Sequence, residues 1–206
     1  MINSAPPRLK RQMNFLVEID KLKNIERRCQ VIPNGRQENS AEHSWHISIY
    51  ALTLLGDIVH DNVELFKVVR MLLIHDIVEI DAGDTFAYDE HLRQQKAELE
   101  KTAAERIFGL LPREQAREFL ELWLEFERGD TREAMFARGL DRIQPLLQNF
   151  ANHGGSWKKH NIRPEQVLKR NECIADVSQE LWDFVKALIA EAEQNGYFAE
   201  ESSVDE

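Results

Sequence analysis

The run from Val68 to Asp84, VVRMLLIHDIVEIDAGD, constrains this chain more than any other stretch. Leu65, Val68, Leu72, Asp76 and Glu79 fall at spacings of three and four, which aligns them on one side of an α-helix. The apolar stripe of a core helix therefore runs straight into two carboxylates, with His75 beside the first. Burying a carboxylate without a partner costs on the order of several kcal/mol. Two kinds of partner fit: a divalent metal shared with the neighbouring imidazole, or a hydrogen-bonded His-Asp pair inside the core. The stretch alone leaves both open.

Composition narrows the setting. The chain has 206 residues, 43% of them hydrophobic, enough for one globular domain with a sizeable core. The expected unit spans residues 1–206, with a core over about 8–195 and a mobile acidic tail after about 198. Mean hydropathy is -0.47, and no run of about 20 apolar residues suggests a membrane span. The start, MINSAPP, lacks the apolar core of a signal peptide. Cys29 and Cys173 do not make a disulfide framework. Together these features lead us to expect a cytoplasmic protein without a membrane partner. A net charge of -10 argues against nucleic-acid polymers, which are bound through released counterions. A mononucleotide needs only a few local cations.

Apart from short loops, the pattern predicts helix almost throughout. A first helix is expected over about 8–28, with Arg27 and Arg28 at its end, either solvated or paired with acids, or one of them facing a phosphate. Residues 33–38 read as a turn, followed by Asn39 as N-cap with Glu42 at the capping-box position. The helix from Ser40 to about His60 buries His43, Ile47, Tyr50, Ala51 and Leu54. The next, about 63–81, carries the central stretch, and Ala82-Gly83-Asp84-Thr85 breaks it, so Asp84 lies in a loop. Helices follow over about 89–108 and 113–127. The second is rich in aromatics, and an apolar surface around Trp123 and Phe126 could support a homodimer. A helix over about 131–151 carries Asp141 above Ala134 and Ala137. Pro145 cannot supply the N–H for the Asp141 carbonyl, which predicts a kink there. Residues 152–163 form a loop with two glycines and local positive charge. It is either plainly solvated or a phosphate approach, with Lys158 or Lys159 reaching the substrate. A last long helix is expected over about 164–195.

Three helix-borne positions can be joined: His43, His75-Asp76 and Asp141. Two imidazoles and two carboxylates suit a first-row divalent metal better than calcium. At these residues the chain resembles a known family, the HD-domain metal-dependent phosphohydrolases, and within it the 5'-deoxynucleotidase branch. The resemblance rests on Arg36-Gln37-Glu38-Asn39-Ser40-Ala41-Glu42-His43-Ser44, on His75-Asp76-Ile77-Val78-Glu79, on Ala82-Gly83-Asp84 and on Leu140-Asp141-Arg142-Ile143-Gln144-Pro145. It spans roughly residues 8–190.

The resemblance implies an all-α orthogonal multi-helix bundle with a central metal site. It implies that His43, His75, Asp76 and Asp141 hold one divalent ion (Mn, Co, Fe, Ni, Zn or Mg). It places Glu79 and Asp84 in the catalytic group, Glu79 toward the attacking water and Asp84 toward the leaving 5'-oxygen. Arg28 would neutralise the phosphate as a forked donor. The implied activity is metal-dependent hydrolysis of nucleoside 5'-monophosphates, 2'-deoxy forms among them, by attack of a metal-activated water on phosphorus. A triphosphate, a cyclic dinucleotide or a binding role without turnover are the alternatives. In one respect the chain departs from the family: Cys29 follows Arg28 where the characterised bacterial enzymes carry a Trp, which leaves sugar selectivity open.

Overall fold

The structure is a computed structural model, and it describes residues 5–33, 35–58, 63–84 and 93–199. The expected end of the second helix at His60, the expected start of another at 89 and the tail beyond 200 lie outside these. As the pattern predicts, the described residues are mainly helical. Helix α1 (Pro7–Ile19) tightens into a 3-10 turn, Asp20–Asn24. A hairpin follows, β1 (Glu26–Gln30) antiparallel to β2 (Gln37–Asn39). Then come α2 (Ser40–Ile58), α3 (Leu65–Ile74), a 3-10 turn at His75–Val78 and α4 (Glu79–Ala82). The chain continues through α5 (Arg93–Phe108), α6 (Arg113–Arg128), α7 (Arg132–Ala151) and α8 (Gly155–Lys159). It ends with α9 (Pro164–Asn171), a 3-10 turn at Glu172–Asp176 and α10 (Gln179–Gln194).

Helices α2 and α3 pack along each other, and α7 packs against both, so three elements meet at the centre. Their shared core is apolar and closed, with Ile47, Ala51, Val68, Leu72, Ala137 and Leu140 all fully buried. A second apolar cluster, around Trp157, Ile174 and Val185, packs below the C-terminal half of α7. The expected capping box is present: Glu42 N donates to Asn39 Oδ1 (2.9 Å) and Asn39 N donates to Glu42 Oε2 (3.2 Å). It fixes the start of α2, one turn before His43. No helix among the described residues is long and apolar enough to cross a membrane.

Four expectations need correction. The first helix does not reach residue 28, because Glu26–Gln30 pairs with β2, a partner that the local pattern does not reveal. The last helix is broken between α9 and α10. Val177 packs 3.2 Å from the Cβ that Gly139 lacks, and Ser178 Oγ then caps α10 by accepting from Leu181 N (3.4 Å). The loop at 152–163 contains α8, which buries Trp157. Trp123 and Phe126 are not a surface: they are 3% and 6% exposed, and Phe126 packs on the His75 ring at 4.8 Å. Helix α7 continues through Pro145 as one element.

Replacing Asn39 with Ala removes one half of the capping box. We expect a loss of about 1 kcal/mol in unfolding free energy, read by chemical denaturation. A change under about 0.3 kcal/mol would show that the β-hairpin alone fixes the start of α2.

Candidate metal centre

His43 projects from the first turn of α2, and Asp141 from the middle of α7. His75 and Asp76 come from the 3-10 turn that ends α3. Side chains three apart eclipse in a 3-10 turn, so Asp76 and Glu79 share one face of it, where Arg27 meets Asp76 and Ser40 meets Glu79. Gly83 then takes φ +74° and ψ 159°, a region almost closed to other residues. That turn leads the chain back so that Asp84 joins the cleft wall.

Ligand atoms of His43, His75 and Asp141 lie within 4.8 Å of one another, close to twice a metal–ligand bond of roughly 2.1 Å. His43 Nε2 is 3.0 Å from Asp141 Oδ1. His75 Nε2 is 3.0 Å from Asp76 Oδ1 and 3.8 Å from Asp141 Oδ1. His75 Nδ1 donates to the Leu72 carbonyl (2.9 Å), which leaves Nε2 bare in the neutral ring. That atom is buried and makes no hydrogen bond. A bare nitrogen lone pair facing two carboxylates is repulsive, so this position takes a cation: a proton on the ring in the metal-free protein, or a metal ion in its place. The residues therefore fit a divalent ion, and their mixed N/O donors suit a first-row metal.

Arg27 was missed as a site residue. The strand alternation of β1 turns Arg27 inward, and Nη1 donates to Asp76 Oδ2 (2.9 Å). Once the segment is read as a strand, the alternate burial of Arg27 and Cys29 provides the signal. Ser40 was also missed: its Oγ donates to Glu79 Oε2 (2.6 Å). Arg28 is exposed, yet it lines the same cleft as Asp84 and Asp141, together with Cys29, Arg142 and Trp157. Lys158 and Lys159 are exposed on α8 and do not line it. Lys158 Nζ lies 5.8 Å over the Tyr197 ring instead.

Comparison with known proteins follows the same lines. An HD-domain family model matches residues 19–182. The human 5'-deoxynucleotidase HDDC2 is 30% identical over 137 residues, 66% of this chain and 65% of its own length. The chain thus spans about 65% of the length of that relative. The 5'-deoxynucleotidase YGK1 of Saccharomyces cerevisiae is 26% identical over 85% of this chain and 86% of its own length. A crystal structure of a predicted metal-dependent phosphohydrolase from Magnetospirillum magnetotacticum superposes with a TM-score of 0.90 at 48% identity, covering 97% of this chain and all of that one.

The charges at the centre are coupled. Burial pushes the Glu79 carboxyl up to about 8, and the Asp76 charge adds to this while Arg27 opposes it. Burial also raises Asp84. Burial works against the His75 imidazolium, but the Asp76 and Asp141 carboxylates overcome it and raise the ring to about 9. Desolvation works against the charge of half-buried Asp141, yet the two imidazoles hold it well below the usual carboxylate range. Burial disfavours the Arg27 charge, and the surrounding Asp76, Glu79, Asp141 and Asp84 hold it protonated.

For Glu79 and His75 the folded pKa exceeds the unfolded one. Each therefore contributes stability that is full below the unfolded value and lost as pH rises through the folded value. For His75 that window runs from 6.5 to about 9, and for Glu79 from 4.5 to about 8. We expect the melting temperature of metal-stripped protein to fall between pH 6.5 and 9. Added Mn should restore more of it at the upper end, because metal and proton compete for His75. A melting temperature that stays flat with pH, with and without Mn, would contradict this assignment.

Proposed function

This chain belongs to the HD-domain family, and on that premise we propose that it is a metal-dependent phosphomonoesterase acting on nucleoside 5'-monophosphates, with 2'-deoxyribonucleotides preferred. The observation that carries the proposal is the convergence of ligand atoms from His43, His75 and Asp141 within 4.8 Å of one another, with two acids of raised pKa beside them. The names of HDDC2 and YGK1 supply the substrate class.

In this reading His43, His75, Asp76 and Asp141 hold the ion. Bound there, it would polarise a phosphoryl oxygen and make a water nucleophilic. Arg27 stays with Asp76 and keeps that carboxylate in place. Arg28, which lines the cleft, would donate to the phosphate as a forked partner. Lys158 and Lys159 lie on the exposed side of α8, whose Ser156 and Trp157 line the cleft, and neither lysine has a role in this reading. Glu79, fixed by Ser40, takes the proton of the attacking water as its oxygen bonds to phosphorus. A base with a pKa near the working pH suits that task. The P–O5' bond breaks, and Asp84, whose burial favours its protonated form, delivers a proton to the leaving oxygen. Cys29 lines the cleft next to Arg28, and in this reading it would face the sugar, where the bacterial enzymes it resembles carry an indole. The free thiols Cys29 and Cys173 support placing the enzyme in the cytoplasm.

The test is phosphate release from a panel of ribo- and deoxyribonucleoside 5'-monophosphates, using stripped protein with Mn, Co, Mg or Zn returned singly. We expect release to return with metal and to favour the deoxy series. Equal rates on both sugars would remove the sugar preference. Release from triphosphates or cyclic dinucleotides alone would replace the substrate class. Glu79→Gln should keep metal and lose about 10²–10⁴-fold in turnover, whereas Asp76→Ala should lose the metal. Full turnover in Glu79→Gln would end its assignment as base.

A further inference from the structure

Behind His43 lies a buried polar chain that the proposed chemistry does not use. Glu38 is 2% exposed, Gln144 is fully buried and Gln148 is 3% exposed. Glu38 Oε1 accepts from Gln144 Nε2 (2.7 Å) and from Gln148 Nε2 (2.8 Å). Gln144 Nε2 also lies 3.3 Å from His46 Nδ1. Gln144 Oε1 lies 3.1 Å from His43 Nδ1. The other Glu38 oxygen is buried without a hydrogen bond, 3.7 Å from His43 Nδ1 and 3.8 Å from Arg27 Nε.

Donor and acceptor capacities force the order of this chain. A carboxylate only accepts, so Gln144 must turn its NH₂ toward Glu38. Its carbonyl oxygen must then face His43. That oxygen also only accepts, so His43 Nδ1 must carry the proton. In the neutral ring Nε2 is then bare and, 3.0 Å from Asp141, open to a cation. If Gln144 were reversed, two oxygens would meet at 2.7 Å with no proton between them.

We propose that Glu38 is a positioning residue of the metal centre: acting through Gln144, it fixes the His43 tautomer that presents a bare Nε2 to the cation. The proposal rests on the reading of His43 as a ligand. His75 solves the same problem with a backbone carbonyl, that of Leu72. On α2 the equivalent carbonyls are committed to the helix, so a side-chain chain from the hairpin supplies the acceptor. Glu38 comes from β2, and this ties the hairpin, α7 and α2 into one polar unit.

Two measurements test it. Two-bond ¹⁵N–¹H correlation of the imidazoles in metal-stripped parent protein, at a pH where His43 is neutral, should show the Nδ1–H tautomer. An Nε2–H ring would overturn the proposal without any variant being made. The second measurement is Co(II) titration with visible spectroscopy on Glu38→Gln, Gln144→Met and the double variant, each first shown to melt cooperatively. We expect each single variant to bind Co(II) about 10–100-fold more weakly, the usual cost of losing a partner behind a ligand, with an altered d–d spectrum. The double variant should be no weaker than Gln144→Met alone, since Glu38 acts through Gln144. Losses that multiply, or a Glu38→Gln protein with the parent's affinity and spectrum, would overturn it. A parent that binds no Co(II) would instead sink the metal-site reading, and the tautomer measurement would still decide the chain behind His43.

Discussion

The charge of Asp141 has to be settled before helices α2, α3 and α7 can pack. Its carboxylate projects from α7 into a junction where His43 and His75 are buried and Asp76 is nearly so. An isolated carboxylate there would cost on the order of several kcal/mol. The two imidazoles and Arg27 offset that cost in the protein alone, and a divalent ion would offset it further. The core around the site is therefore apolar and rigid for a reason. Ile47, Leu72 and Leu140 exclude water, which would otherwise weaken each of these interactions.

Backbone geometry then decides what the charges can do. In a regular helix Glu79 would share a side with Asp76 but stand offset from it by about 60°. The 3-10 turn at His75–Val78 brings Glu79 back over Asp76, at the cost of poorer hydrogen bonds. Gly83 adds a conformation that other side chains rarely adopt, and Asp84 follows it into the cleft. Two departures from ideal helix within nine residues place two acids beside one cluster of ligands. Because burial raises both acids, the same packing that forms the site also tunes them.

The sequence made the parts with a local signal legible. The stripe through Val68 and Leu72 repeats at helical spacing, and Asn39 with Glu42 forms a recognisable cap. The assembly of His43, His75 and Asp141 could be anticipated from the order of motifs, since these lie far apart in the chain. Other parts have no local signal. Residues Glu26–Gln30 are charged and short, and only β2 makes them a strand. Missing that strand misdirected the reading of its arginines, because helical spacing separates Arg27 from Arg28 by about 100° whereas a strand sets them on opposite faces. The break between α9 and α10 depends on Val177 meeting Gly139, a contact across 38 positions of sequence. Glu38 and Gln144 are polar residues at core positions, and nothing in their spacing shows that they satisfy one another.

Strand alternation also explains how the site keeps its charges apart from those of a substrate. Arg27 is held among Asp76, Glu79, Asp141 and Asp84, and it cannot leave them without stranding buried carboxylates. Arg28 is exposed and lines the same cleft, where its charge favours the Asp84 carboxylate but pairs with none of the metal-site acids. Of the two adjacent guanidiniums, one is buried among the protein's own acids and the other is exposed in the cleft. A helix would have placed both on neighbouring parts of one surface, where acids and phosphate would compete for them. The small two-stranded sheet is therefore part of the site: it separates Arg27 from Arg28, and through Glu38 it reaches the back of His43.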